Sequence, residues 1–277
     1  MSSSSPVVVP TPDDIKAKLA QITSDHLYLK IADTADEIEQ AQRLRYKVFY
    51  EEMGAHPDGD MGADGREIEF YDNYCDHLLV VDSSLPQGEQ IVGTYRILRQ
   101  EMADANNIKF YTENEFDLGK LRAQGGKIME VSRSCVLPSH RSRMAINLLW
   151  KGIAACVFAQ KVDYLIGTPS MNGTNMEDHL QILAYLKNFH MADESIRPRV
   201  IEEFYHPLPE IDKDSMDQKR AFMALPPLLK GYMRLGAVIG DGVYIDHQFN
   251  CIDVAIIVEI NKVTDRYFNH YTRGDNE

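Results

Sequence analysis

The sequence predicts an α/β (α+β) fold, a central mixed and mostly antiparallel sheet flanked by helices. Three observations predict it. Short runs rich in β-branched and apolar residues alternate with stretches of helical spacing, in the order strand, helix, three strands, helix, strand, helix. Apolar residues make up 44% and charged residues 26% of the chain, the usage of an ordinary globular protein, which excludes collagen-like, coiled-coil and disordered chains. With 277 residues the chain can bury a sizeable core without disulfide staples.

Each element has its own signal. Residues 1–24 read as a disordered N-terminal arm, opening on the Ser/Pro/Val stretch of residues 1–12. Residues 26–32 (HLYLKIA) alternate loosely and open the sheet. Asp33 or Thr34 can cap a helix over 35–53, on which Ile38, Ala41, Leu44 or Arg45, Val48 and Phe49 recur at helical spacing before Gly54 ends it. A Gly/Asp-rich loop over 54–73 is too long for a simple connector. Strands follow at 76–82, 90–99 and 127–136, with residues 100–125 read as irregular apart from a turn near Phe116–Leu121. A strongly apolar helix at 144–161, a strand at 162–168 and an amphipathic helix at 176–189 come next. Pro226–Leu235 reads as a helix with Pro at its first positions, and Cys251–Ile260 as a closing strand buried on both faces. The expected division is the arm, one domain over 25–260 with a C-terminal extension from about 200, and a polar tail over 261–277.

The formal net charge is −13, with 14 Lys+Arg against 24 Asp+Glu in residues 1–140 and 15 against 18 in residues 141–277. An acidic field repels phosphate backbones, so nucleic acid is not an expected partner. The four scattered Cys and the lack of any CxxC pair argue for a reducing compartment and against a zinc ribbon. No apolar run approaches the roughly 20 residues of a membrane span. The N-terminus lacks a basic n-region and a long apolar h-region, so a cytoplasmic location is expected.

Candidate functional residues are those that interrupt apolar elements with charge. Arg45 lies among Leu44, Val48 and Phe49, Arg96 between Tyr95 and Ile97, and Glu130 and Arg133 within the strand 128–136. Charges in such places need partners. Together with the acidic loop residues Asp64, Glu67, Glu69, Asp72 and Asp76 they suit a zwitterionic small molecule. An Arg fork from Arg45, Arg96 or Arg133 would take its carboxylate, and Asp72, Asp76 or Glu69 its ammonium. The His and Cys residues have no metal-ligand spacing, and no metal is expected. In Cys75-Asp76-His77, neighbours on a strand point to opposite faces.

The order of elements resembles the GNAT acyltransferase superfamily. There a central strand feeds a turn, and a helix N-terminus behind the turn binds the pyrophosphate of a pantetheine thioester donor, where free N–H groups and the helix dipole favour an anion. Here the strand ends at Val136 and the turn is 138–143. The superfamily's loop pattern (Gln or Arg, two residues, Gly, one residue, Gly or Ala) falls on His140, Arg143 and Ala145, and only Ala145 fits. Arg141 and Arg143 can still take one phosphate, which suits the single phosphodiester of an acyl-carrier phosphopantetheine arm better than a pyrophosphate.

Longer blocks narrow the resemblance. Residues 44–55 (LRYKVFYEEMGA), 71–80 (YDNYCDHLLV), 92–98 (VGTYRIL), 130–136 (EVSRSCV), 225–236 (LPPLLKGYMRLG) and 246–250 (DHQFN) resemble the ornithine–acyl-carrier-protein N-acyltransferases of ornithine-lipid synthesis. Acyl-homoserine-lactone synthases are similar more weakly, through Arg45, Phe49, Glu69, Asp72, Arg96, Glu130 and Arg133. The resemblance implies attack by the α-amine of ornithine on a 3-hydroxyacyl thioester of acyl carrier protein, with no bound cofactor beyond that thioester as co-substrate. Glu130 is the candidate base, directly or through a water. Backbone N–H groups around Ser134, Cys135 and Val136 are candidates for holding the oxyanion. The alternatives are another N-acyl-amino-acid synthase, including an acyl-homoserine-lactone synthase, and a catalytically silent module that binds acyl carrier protein or membrane. The expected partners are acyl carrier protein, met through basic residues of the second half such as Lys187, Lys219, Arg220 and Arg234, and the membrane, touched peripherally because the product is an amphiphile.

Overall fold

The computed structural model describes residues 6–9, 11–56, 64–141 and 143–263. In chain order its elements are α1 (Asp13–Leu19), β1 (Thr23–Ser24), β2 (Leu27–Ile31), α2 (Ala35–Tyr46), β3 (Asp76–Asp82), β4 (Ile91–Arg99) and α3 (Gln100–Asn106). Then come β5 (Phe116–Asp117), α4 (Gly119–Ala123), β6 (Ile128–Val136), α5 (Arg143–Gln160), β7 (Tyr164–Gly167), β8 (Ser170–Asn172) and α6 (Leu180–His190). The last are β9 (Arg199–Val200), α7 (Gln218–Ala224), α8 (Pro227–Arg234), β10 (Val238–Ile239), β11 (Tyr244–Asp246), β12 (Cys251–Asp253) and β13 (Ile256–Glu259). The chain divides into two compact units. Their described parts are 6–108 with 131–161, and 109–130 with 162–263. The chain passes between them inside β6, at Glu130–Val131.

In the first unit β1, β2, β3 and β4 pair antiparallel in that order, and β6 lies next to β4. β3 is buried along its whole length, because helices cover both faces. Leu79 and Val81 join Ile38, Ala41 and Leu44 of α2 in one core cluster. Leu78, on the opposite face by strand alternation, meets α5 at Gly152, where an added Cβ would stand 2.7 Å from a Leu78 methyl. That glycine lets the helix approach the sheet closely. α2 starts where Thr34 accepts a hydrogen bond from the Glu37 N–H at 3.2 Å, as the capping signal predicts.

Three expectations for this unit need correction. Residues 13–24 are not a disordered arm. They form α1, whose Ile15 and Leu19 are buried, and β1, which pairs with β2. The helix expected over 35–53 is α-helical only to Tyr46 and continues as a π-helical turn over Lys47–Glu52. Part of the stretch read as irregular is α3.

In the second unit the first three residues of β6 pair parallel with β7, β7 pairs antiparallel with β13, and β13 with β10. The parallel register ends at Glu130↔Ile166, while β6 itself runs on to Val136. A smaller sheet has the order β11-β12-β8, and β5 pairs with β9. The expected closing strand is split into β12 and β13. Val254 and Ala255 carry the chain from one sheet to the other, so the run is buried from Cys251 to Val258 without being one strand, and Glu259 and Ile260 are half-buried. The expected turn near Phe116–Leu121 is β5 followed by α4. The tail expected over 261–277 lies outside the described residues from 264 onward.

Candidate active site

Six charged side chains of the first unit converge. Arg45, on the inward face of α2, bonds Glu67 through Nε and Asp72 through Nη2 at 2.7 Å, and the same Nη2 donates to the Glu67 carbonyl at 2.7 Å. Arg96, in mid-β4, reaches Glu69 and the second oxygen of Asp72, the latter at 3.3 Å, while its Nε donates to Ser132 Oγ at 3.1 Å. Its guanidinium also lies over the Tyr71 ring, 5.5 Å from the centroid. Arg133, on β6, closes the circle with Nε at 3.0 Å from Glu67 and Nη2 on Glu69. Its backbone takes φ 54°, a left-handed value unusual for a non-glycine residue inside a strand. That kink breaks the alternation of β6 at Arg133, a backbone conformation whose cost of order 1–3 kcal/mol the ion pairs help offset.

The three arginines and three acids balance in charge, and burial decides how tightly. Burial alone would push the Asp72 and Glu69 carboxyls up. The Arg45 charge at Asp72, and the Arg133 and Arg96 charges at Glu69, more than reverse this, so both are held below the usual carboxylate range. Gln42 adds a hydrogen bond to Asp72 at 3.0 Å. Arg45, Glu67, Asp72 and Arg96 are buried, so they form an internal frame. Its reachable edge is Glu69, with its side chain 16% exposed, and Arg133, at 9%. Glu67 was named in the sequence only as one of several loop acids, and its central place comes from a long-range approach that spacing does not encode.

Two expected members stand apart. Asp76 faces away from the cluster and pairs with Arg99 at 2.7 Å while accepting from Thr11 Oγ1 at 2.7 Å. Here burial outweighs Arg99, and the Asp76 carboxyl is pushed up. Phe49 packs against the core cluster of Leu44, Val48 and Cys135.

At the end of β6, Ser134 is half-buried and Cys135 and Val136 are buried. Burial pushes the Cys135 thiol up to about 12, so it is protonated at neutral pH. In the following turn Arg141 is bound bidentately by Glu52, and its Nε donates to the Val136 carbonyl at 3.0 Å. His140 Nε2 stands 3.0 Å from Asp82, and its Nδ1 stands 2.8 Å from Ser139 Oγ. Ala145 is buried in the first turns of α5. The Arg143 side chain lies outside the described residues.

Glu130 belongs to the second unit. Its carboxylate accepts the backbone N–H of Tyr111 at 2.8 Å and of Thr112 at 2.7 Å, one on each oxygen. In the same unit the antiparallel β11–β12 pair brings Asp246, Cys251 and Asp253 to within 4.8 Å of one another, all buried. These are metal-type ligands that linear spacing did not reveal. The Cys251 thiol is pushed up by burial and the two carboxylates, and it donates to Asp253 at 3.4 Å.

Residues 44–151 match the acetyltransferase (GNAT) domain family. The L-ornithine N(alpha)-acyltransferase of Rhizobium meliloti (strain 1021) is 42% identical over 254 residues, 89% of this chain and 84% of the relative. That of Agrobacterium fabrum (strain C58 / ATCC 33970) is 39% identical over 88% of this chain and 85% of the relative. That of Brucella abortus (strain 2308) is 36% identical over 88% of this chain and 88% of the relative. Among solved structures, the CoA-dependent acyl-homoserine lactone synthase BjaI aligns with a TM-score of 0.45 at 14% identity, covering 86% of this chain and 82% of that one. FeeM, an N-acyl amino acid synthase from uncultured soil microbes, aligns with a TM-score of 0.43 at 13% identity, covering 86% and 93%. With identity of this order along nearly its whole length, the chain belongs to the L-ornithine N(alpha)-acyltransferase family.

Proposed function

We propose that the protein transfers a 3-hydroxyacyl chain from the phosphopantetheine thioester of acyl carrier protein to the α-amine of L-ornithine, giving the lyso-ornithine lipid. The observation that carries this reading is the identity of 35–42% over about 88% of the chain to relatives named for ornithine N-acylation.

The chemistry follows from the needs of the reaction. The amine lone pair attacks the thioester carbonyl, the C–S bond breaks, and the pantetheine thiolate leaves and takes a proton. A protonated Cys135 favours direct transfer over an acyl-cysteine intermediate. Glu130, whose carboxylate accepts the Tyr111 and Thr112 N–H groups, is the proposed base, directly or by way of a water. Backbone N–H groups of Ser134, Cys135 and Val136 are proposed to hold the oxyanion.

At the reachable edge of the charged cluster, Arg133 would take the ornithine carboxylate and Glu69 the side-chain ammonium. Arg45, Asp72 and Arg96 would position them. Exposed Ile68 and Phe70 flank Glu69 and give the acceptor's methylenes apolar neighbours. The turn with His140, Arg141, Arg143 and Ala145 is proposed to meet the donor phosphodiester, which would have to draw Arg141 from Glu52. The four cysteines are buried and none is in a disulfide, which suits the reducing cytoplasm. Among the described residues no helix is long and apolar enough to cross a membrane.

The test is thiol release from 3-hydroxyacyl-acyl carrier protein on adding L-ornithine, with lysine, glycine and S-adenosylmethionine as competing acceptors. Release with ornithine alone is expected, and equal release with glycine would remove the ornithine assignment. Glu130→Gln should lower turnover by about 10²–10⁴. Because the new amide turns an N–H toward a backbone N–H, it should also destabilise by roughly 1–3 kcal/mol. Turnover is therefore compared per folded molecule, and near-wild-type values would remove Glu130 as the base.

A further inference from the structure

Residues 218–240 carry Lys219, Arg220, Lys230 and Arg234 and no acid, in a chain whose net charge is −13. The fold concentrates these cations at one place in the second unit. α7 ends at Ala224, Leu225 and Pro226 make the turn, and α8 begins at Pro227. Leu229, Tyr232 and Met233 form the buried face of α8, so that helix is committed to the core, and what remains outside is the tip of the hairpin. At the tip stands Met223, 61% exposed, the most exposed of the large apolar side chains among the described residues. Exposed Ala224 and Pro227 adjoin it in the chain.

The cations surround this apolar tip. Lys219 and Arg220 precede Met223 by four and three residues on α7, so they share its face. Lys230 reaches back from α8 and donates to the Met223 carbonyl at 2.9 Å. Arg234 lies over the Phe222 ring at 5.7 Å. Asp217 caps α7 through the Arg220 N–H, so the nearest acid in sequence sits at the far end of the helix from Met223.

An apolar tip ringed by long cationic side chains fits the boundary between headgroups and acyl chains of an anionic bilayer, where the tip enters and the cations stay at headgroup level. We propose that the α7–α8 hairpin docks the protein on an anionic membrane surface. The assignment of a lipid surface, rather than an acidic protein, draws on the exposed Met223 and on the proposed function, whose amphiphilic product must enter a bilayer.

The test is co-sedimentation of the full chain with vesicles of phosphatidylcholine alone and of phosphatidylcholine with phosphatidylglycerol in equal parts. Binding to the anionic vesicles, weakened by salt, is expected. Each cation at such a surface is worth roughly a fivefold change in partition, so Lys219→Glu with Arg220→Glu should lower it by about twentyfold or more. Met223→Ser should lower it without changing the salt dependence. All three positions are exposed, and an unchanged melting temperature checks that the variants fold. Failure of the wild type to bind, or equal binding by the variants, would overturn the proposal. So would variants that keep vesicle binding but raise KM for acyl carrier protein, since the hairpin would then be a protein dock. Vesicle binding without ornithine-dependent thiol release would leave the docking surface standing and remove the proposed function instead.

Discussion

His77 is wholly buried, with Nε2 3.3 Å from the Asp72 carbonyl, and burial lowers its imidazole from 6.5 to about 4. In the unfolded chain the ring takes its proton near 6.5, while in the folded protein it waits until about 4. Between those values the unfolded state holds more protons, so stability falls as pH falls, by roughly 3 kcal/mol in all. Asp72 and Glu69, held below the usual carboxylate range, extend the loss to lower pH, because their contribution disappears only as they protonate in the folded state. His77→Gln should flatten the upper part of this slope. Melting temperature against pH from 7 to 4 checks it, and an unchanged slope would exonerate the imidazole. Arg45→Met should destabilise by about 3–5 kcal/mol, since Glu67 and Asp72 would lose a buried counterion; chemical denaturation measures it. Arg133→Gln, at the edge, should instead raise KM for ornithine by about tenfold or more, and a change confined to kcat would place the acceptor elsewhere.

The elements were legible where periodicity ran long enough. β3, β4, β6, α5, β7 and α6 lie where the apolar patterns put them, since each faces a core that demands the pattern. Short elements were not legible. α1 is a seven-residue helix held by Ile15 and Leu19, too few apolar positions to stand out beside a Ser/Pro-rich start. The π-helical turn after Tyr46 keeps Val48 and Tyr50 buried at a spacing that a 3.6-residue pattern reads as plain helix. The split between β12 and β13 was hidden because burial on both sides erases alternation. One glycine fixes a close approach of backbone in the second unit. A Cβ on Gly240 would stand 2.8 Å from the Pro198 carbonyl oxygen, which already accepts the Asp241 N–H. Gly240→Ala should therefore cost about 1–3 kcal/mol by denaturant unfolding.

At the scale of the whole molecule, the four cysteines are all buried thiols outside any disulfide. A thiol reagent should titrate none of them quickly in the folded protein and all four after denaturation; a fast-reacting thiol would mean that one region opens readily. The charged cluster was legible as residue types, since arginines and a glutamate inside an apolar helix and apolar strands need partners, structural or functional. Its wiring was not. Spacing could not foretell that Arg45 would claim Glu67, that Asp76 would turn to Arg99, or that Glu130 would gather two backbone amides. The first depends on where a long loop lands, the second on the register of β3 against β4, and the third on the turn at Tyr111–Asn114. The balanced ring of Arg45, Arg96 and Arg133 with Glu67, Glu69 and Asp72 also constrains how the lineage can drift. Removing Arg45 or Arg96, the buried cations of that ring, leaves an interior acid short of a counterion, so inherited changes there should arrive as matched couples, a cation and its anion exchanged together, and solitary ones should be culled before they spread.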